Sequence, residues 1–233
     1  DVIYGNGGID VIDAGPNSAV YGADAVYGGA GNDIINIATA ETEFSNSSTT
    51  ALVTDTIDGG AGTDTLAFAI AATLTRAELV NISNVERLTL ADTSSITLSD
   101  EFLQANPGLA ITLNAGTISA GAGTTASPTL TEAVTYTMGS GAINITTGTA
   151  DDTFNTAGTV FAATDTVAGG AGTDTIAIYN DAGYGLSPTT GDDASVSLDL
   201  NHTGIEKITV IDLATDDDND VTVNIAAAWT GTA

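Results

Sequence analysis

The chain has 233 residues, with 30 acidic against three basic ones, no cysteine and a formal charge of −27. Such acidity argues against nucleic acid or an anionic membrane as partner, since both carry like charge, and 42% hydrophobic residues argue against a disordered acidic chain. Of the acids 23 are Asp; Asp favours turns, and a compact state carrying this charge repels itself, so composition alone suggests a counter-cation.

Asp1-Val2-Ile3-Tyr4 reads as the tail of a repeat without its glycine turn, and the chain is expected to be a piece of something longer. Gly5 to Asp13 follows as a near repeat of the form G-N-G-G-I-D-V-I-D, containing Gly5, Gly7 and Asp10. After a short insertion, 19–27 is a degenerate copy that keeps Gly22, Asp24 and Val26. The full form stands at Gly28-Gly29-Ala30-Gly31-Asn32-Asp33-Ile34-Ile35-Asn36. Each position has a task. Glycine reaches turn conformations closed to other residues, Asp gives a hard oxygen suited to Ca²⁺, and the last three residues form a strand with one apolar side chain pointing inward. If two such nonapeptides make one coil, Asp10 stacks over Asp33 and Asp1 over Asp24. Stacked carboxylates then require a cation between them.

Residues 37–53 read as a polar connecting loop. The turn returns at Gly59-Gly60-Ala61-Gly62-Thr63-Asp64, and again at Gly169-Gly170-Ala171-Gly172-Thr173-Asp174. The stretches 54–68 and 164–178 share eleven of 15 residues, an internal duplication. Each turn is preceded nine residues earlier by an Asp, Asp55 and Asp165. The duplication extends to Asn84-Val85-Glu86-Arg87-Leu88-Thr89-Leu90 and Gly204-Ile205-Glu206-Lys207-Ile208-Thr209-Val210. The matched Arg87 and Lys207 suggest a structural ion pair with a neighbouring carboxylate; the alternative is an exposed pair of little energetic weight.

Thr75-Arg76-Ala77-Glu78 has the form of a capping box and predicts a short helix over 76–81. A second is predicted over 100–104, ended by Asn106-Pro107-Gly108. Strands are predicted at 95–98, 109–113, 134–138, 142–146, 195–200 and 221–225, where Thr, Val and Ile alternate with small residues. The Ala-Gly-Thr run at 114–126 reads as low complexity or, with its Ile and Leu, as further β-coil. Gly141 to Asn155 holds another degenerate turn, with Asp152 at the Asp position and Phe154 at the apolar one. Asp216 to Asp220 reads either as a separate calcium loop or as a solvated acidic turn. No run reaches the roughly 18 to 20 apolar residues of a membrane span, and no signal peptide is visible.

Catalysis finds little support. His202 is the single histidine and Lys207 the single lysine, and no Ser lies in a nucleophile elbow. The expectation is a non-enzyme.

The glycine–aspartate nonapeptides resemble those of RTX (repeats-in-toxin) secreted bacterial proteins, calcium-binding parallel β-rolls. More narrowly, the GGAGTDT turn followed by an N-V-E-x-L-T-L strand resembles the β-solenoid portions of surface-layer proteins. The resemblance implies an all-β, elongated parallel β-solenoid (β-roll or β-helix) with RTX calcium turns and short helical insertions. It divides into a repeat block at 1–36, a loop at 37–53, and solenoid units at 54–147 and 148–233. It implies Ca²⁺ held by Asp10, Asp24, Asp33, Asp55, Asp64, Asp152, Asp165 and Asp174, with the backbone of Gly5, Gly7, Gly28, Gly29, Ala30, Gly31, Gly59, Gly60, Ala61, Gly62, Gly169, Gly170, Ala171 and Gly172. It further implies type I secretion, folding in extracellular calcium, a cell-surface location, and self-assembly into a homo-oligomeric lattice or filament, with a cell-surface polysaccharide as a further partner. Two alternatives stay open: an adhesin segment that binds a glycan or surface ligand, and the calcium-dependent secretion domain of an exported enzyme.

Overall fold

The computed structural model describes residues 2–14, 25–37, 56–69, 71–113, 115–120, 130–139, 141–157, 165–180, 194–198, 201–212 and 221–225. Within these residues all pairing between strands is parallel. The chain coils as a solenoid, each coil laying its strands beside those of the coil before.

One wall is a nine-stranded sheet, in the order β2 (Val11–Ala14), β4 (Ile34–Ile37), β6 (Thr65–Phe68), β9 (Arg87–Leu90), β11 (Ala110–Leu113), β13 (Thr135–Met138), β15 (Thr153–Ala157), β17 (Thr175–Asn180) and β20 (Lys207–Asp212). It runs without a break past 53/54 and 147/148. A second wall begins as a four-stranded sheet of β1 (Val2–Tyr4), β3 (Ala25–Ala30), β5 (Thr56–Ala61) and β8 (Ile82–Ser83). A six-stranded sheet comprises β7 (Thr73–Leu74), β10 (Ser94–Leu98), β12 (Gly116–Ala120), β14 (Ile143–Thr146), β16 (Thr166–Ala168) and β19 (Asn201–Thr203). The strands β18 (Ala194–Leu198) and β21 (Val221–Ile225) form a separate pair.

Period-two alternation sets the core. In β9 the pattern along Arg87-Leu88-Thr89-Leu90 is out, in, out, in, as a pleated strand with one wet face requires. Register then lines up one apolar column through the long sheet: Ile12, Ile35, Leu66, Leu88, Ile111, Tyr136, Phe154 and Ile176, all buried. Tyr136 and Phe154 stack with ring centroids 5.3 Å apart. Leu74, Ile96, Ile118, Ile145 and Val167 make the facing column in the six-stranded sheet.

Both predicted helices form, each shorter or longer by a residue or two. Helix α1 spans Arg76–Leu79, with the Thr75 N–H donating to Glu78 Oε2 at 2.7 Å. Helix α2 spans Asp100–Ala105, capped by Ser99. It buries Phe102 and Leu103 and ends the four-stranded wall. There the buried Asn106 accepts from the Val85 N–H (2.9 Å) and donates to the Ile82 and Phe102 carbonyls (2.9 and 2.7 Å). A side chain thus satisfies the strand edge that another coil would have paired.

Candidate calcium ladder

The glycine turns connect the two walls, and the coil register stacks their aspartates. Asp33 Oδ1 accepts the Asp10 N–H at 2.9 Å, and Asp64 Oδ1 accepts the Asp33 N–H at 2.7 Å. Asp10 therefore sits over Asp33, as the repeat length required. In the second half of the chain, Asp174 Oδ1 accepts the Asp152 N–H at 2.8 Å, and Asp152 Oδ1 accepts the Val134 N–H at 2.8 Å. Each carboxylate thus commits one oxygen to the backbone of the preceding coil.

The other oxygen is a different matter. Oδ2 of Asp10, Asp33, Asp64 and Asp174 is buried and has no hydrogen-bond partner. A buried carboxylate oxygen with nothing to accept from carries a large desolvation penalty. Oδ2 of Asp10, Asp33 and Asp174 lies beside the first glycine of its own turn, and at Gly59 the nearest Asp64 atom is Cβ. A methyl carbon added to Gly28 would overlap the Gly59 carbonyl oxygen and lie 2.6 Å from Asp33 Oδ2. At Gly5 it would meet the Gly28 carbonyl oxygen and Asp10 Oδ2, and at Gly169 the Gly204 carbonyl oxygen and Asp174 Oδ2. Gly5, Gly28 and Gly169 each leave room for a cradle bounded by a carboxylate oxygen from one coil and a carbonyl oxygen from the next. Hard, anionic and lacking any N–H, that donor set fits Ca²⁺. Among the described residues no three Asp, Glu, His or Cys side chains gather into a metal cluster; backbone carbonyls would supply the remaining oxygens.

Electrostatics points the same way. Burial raises the Asp174 carboxyl to about 6, with the charges of Asp152, Glu206 and Asp151 adding to the rise against the Asp152 N–H bond. Burial also raises Asp64, with further repulsion from Asp33, Glu86 and Asp58. The fold holds these groups together at a cost that a divalent cation removes.

The later glycines have another task. Gly31 has φ +134°, open to glycine but strained for other residues, and an added methyl carbon there would overlap the Gly8 carbonyl oxygen. Gly29, Gly60, Gly62, Gly170 and Gly172 likewise have positive φ and lie against the backbone of the preceding coil. Ala30 and Ala61 accept from the Gly8 and Gly31 N–H groups (both 2.8 Å), and the Ala171 N–H donates to the Gly148 carbonyl (3.0 Å). Gly7 bridges to Ala30 in parallel.

Asp152 occupies the ladder position, but its surroundings differ. Besides the Val134 N–H it takes hydrogen bonds from the Thr147 side chain and the Gly148 backbone, and burial raises its pKa. Thr147 stands where Gly169 stands one coil on, so protein donors there occupy the carboxylate. Asp165 is buried at the head of β16 and accepts the Ile143 N–H at 3.0 Å; it lies on the other wall from Asp174. Asp1, Asp24, Asp55 and the run Asp216 to Asp220 lie outside the described residues.

The ion pair expected at Arg87 and Lys207 does not form among the described residues; both side chains are exposed. The preceding Glu does the structural work. Glu86 Oε2 accepts the Asp64 N–H at 2.7 Å, and Glu206 Oε2 accepts the Asp174 N–H at 2.9 Å. Each Glu stands in the turn just before its strand, where the side chain reaches back to the Asp of the preceding coil. The duplicated Glu was the sequence signal for it.

This geometry defines a calcium-binding parallel β-solenoid. The family model for the RTX calcium-binding nonapeptide repeat matches the chain in four copies, at residues 1–17, 19–36, 54–68 and 161–177. The chain therefore carries RTX-type calcium-binding repeats, over less than a third of its length, and repeats of this type are typical of secreted extracellular proteins. No curated protein and no solved structure matches it.

Proposed function

We propose that this chain is a structural, non-catalytic segment of a cell-surface protein that folds and self-assembles on extracellular calcium. The observation carrying the proposal is the set of four buried, unpartnered Asp Oδ2 atoms, three of which (Asp10, Asp33 and Asp174) lie beside the first glycine of their turns. A chain of charge −27 gains most from calcium where the ion is abundant, outside the cell. Neutralising that charge also lets copies approach one another. The GGAGTDT turn and N-V-E strand, with their surface-layer resemblance, support assembly over a purely secretory role.

Electron microscopy of the purified chain with millimolar calcium and with excess chelator tests this. Sheets or filaments that form with calcium and dissolve without it are expected. A monomer at millimolar calcium that binds a glycan saturably would instead mark an adhesin segment and overturn the assembly reading.

A further inference from the structure

In the first ladder the cradle oxygens come from successive glycine turns: Asp10 Oδ2 with the Gly28 carbonyl, then Asp33 Oδ2 with the Gly59 carbonyl. Asp64 and Asp174 have no such turn on the following coil. The chain there is Asn84-Val85-Glu86 and Gly204-Ile205-Glu206. Yet both Asp side chains are fully buried, and both leave Oδ2 without a partner.

The two short turns are built alike. Asn84 and Gly204 have left-handed φ of 53° and 60°. Their carbonyl oxygens lie where a methyl carbon on Gly59 or Gly169 would go, the place that the glycine-turn carbonyls hold at earlier rungs. Val85 and Ile205 are buried and anchor the turn in the core. Glu86 and Arg87 both donate N–H bonds to the Asp64 carbonyl, at 3.1 and 3.0 Å; Glu206 and Lys207 do the same to Asp174, again at 3.1 and 3.0 Å. Because these turns are shorter, the longer Glu side chain takes the place of the next Asp and reaches the Asp N–H.

We infer that these two turns, outside the glycine-rich motif, complete the last calcium site of each ladder. The Asn84 and Gly204 carbonyl oxygens are ligands, and Glu86 and Glu206 are positioning residues that fix the ligating Asp64 and Asp174. The inference rests on the calcium reading above and extends it to residues that motif does not contain. It also explains how the turn at 169–174 holds an ion although the coil before it offers Asp152, already satisfied by Thr147 and Gly148. A single GGAGTD turn suffices when an Asn/Gly-x-Glu turn follows.

Calorimetric calcium titration of the full chain, with β-sheet circular dichroism at saturating calcium as a folding check, tests it. Glu206→Ala should weaken one ion by about 10- to 100-fold and leave the others unchanged, as loss of a group that orients a ligand does. Glu206→Gln, which keeps an acceptor for the Asp174 N–H, should stay closer to the parent. Glu86→Ala repeats the test on the other ladder, so a folding failure in one variant does not decide the matter. Asp92→Ala, an exposed acid past the other end of β9 from Glu86, should change nothing. Parent-like binding in both alanine variants, while Asp174→Asn loses an ion, would overturn the inference and leave the calcium reading intact. A parent chain that takes up no calcium would overturn that reading itself.

Discussion

Replacing Asp174 with Asn separates an ion-holding carboxylate from a merely buried one. The carboxylate at position 174 accepts the Asp152 N–H through Oδ1 and leaves Oδ2 bare. Asn keeps an acceptor for the first and removes the charge from the second. With calcium at about 100 times the dissociation constant, one site contributes about 2.7 kcal/mol to stability. Against this, the unrelieved charge has a pKa raised from 3.8 to about 6, about 3 kcal/mol at 1.36 per unit. Asp174 itself is buried, but residues 170–173 of its turn are exposed, and screening through the adjacent solvent reduces that to about 1 kcal/mol. The net loss on Asp174→Asn is then about 2 kcal/mol in saturating calcium, a fall in Tm of about 4–8 °C for a chain of this size. The sharper signature is the slope. Each saturated site adds about 1.4 kcal/mol per tenfold rise in calcium, so the variant's stability should climb less steeply by that amount. Asp152→Asn is the matched control. It loses a carboxylate satisfied by Val134, Gly148 and Thr147, so its stability should fall without a change in slope. Urea unfolding at several calcium concentrations measures both. A parental slope in Asp174→Asn, or a reduced one in Asp152→Asn, would refute the reasoning.

Gly28→Ala puts a methyl carbon between Asp33 Oδ2 and the Gly59 carbonyl; we expect one calcium to weaken at least tenfold, about 1.4 kcal/mol, in a calorimetric titration. Phe154→Ala opens a cavity beside Tyr136 in the core column and should cost about 3–5 kcal/mol of stability, read by urea unfolding in saturating calcium. The raised pKa of Asp174 fixes a pH dependence. Its stabilising contribution to the calcium-free fold is fully present below 3.8 and lost as pH rises through about 6. Chelated protein should therefore gain β-sheet dichroism as pH falls from 7 toward 4, while calcium affinity weakens over the same range because protonated carboxyls bind poorly.

The ladder was legible because spacing and chemistry coincide. A D-x-U step places a carboxylate at the turn and an apolar side chain in the core, and Asp33 with Ile35 and Asp174 with Ile176 follow it. Asp152 with Phe154 follows the same step, yet one substitution, Thr147 in the first-glycine position, supplies a hydroxyl that the nonapeptide pattern does not weigh. Arg87 and Lys207 stand out because cations are rare in this chain, but both are exposed, and it is the preceding Glu86 and Glu206 that reach the Asp64 and Asp174 N–H groups. The start of the six-stranded sheet and the closure of the four-stranded one by α2 were not legible. The closure depends on Asn106 reaching a strand edge more than 20 residues away in sequence, which no local pattern encodes.

We propose that calcium, held between coils by buried carboxylates, makes this fold possible. Far-ultraviolet circular dichroism of the full chain at pH 7.5 tests it most directly, in excess chelator and then after calcium is restored to millimolar excess. The β-sheet signal is expected to be lost with chelator and to return cooperatively with calcium, but not with an equal ionic strength of sodium. A β-sheet spectrum and thermal stability unchanged by the chelator would contradict it.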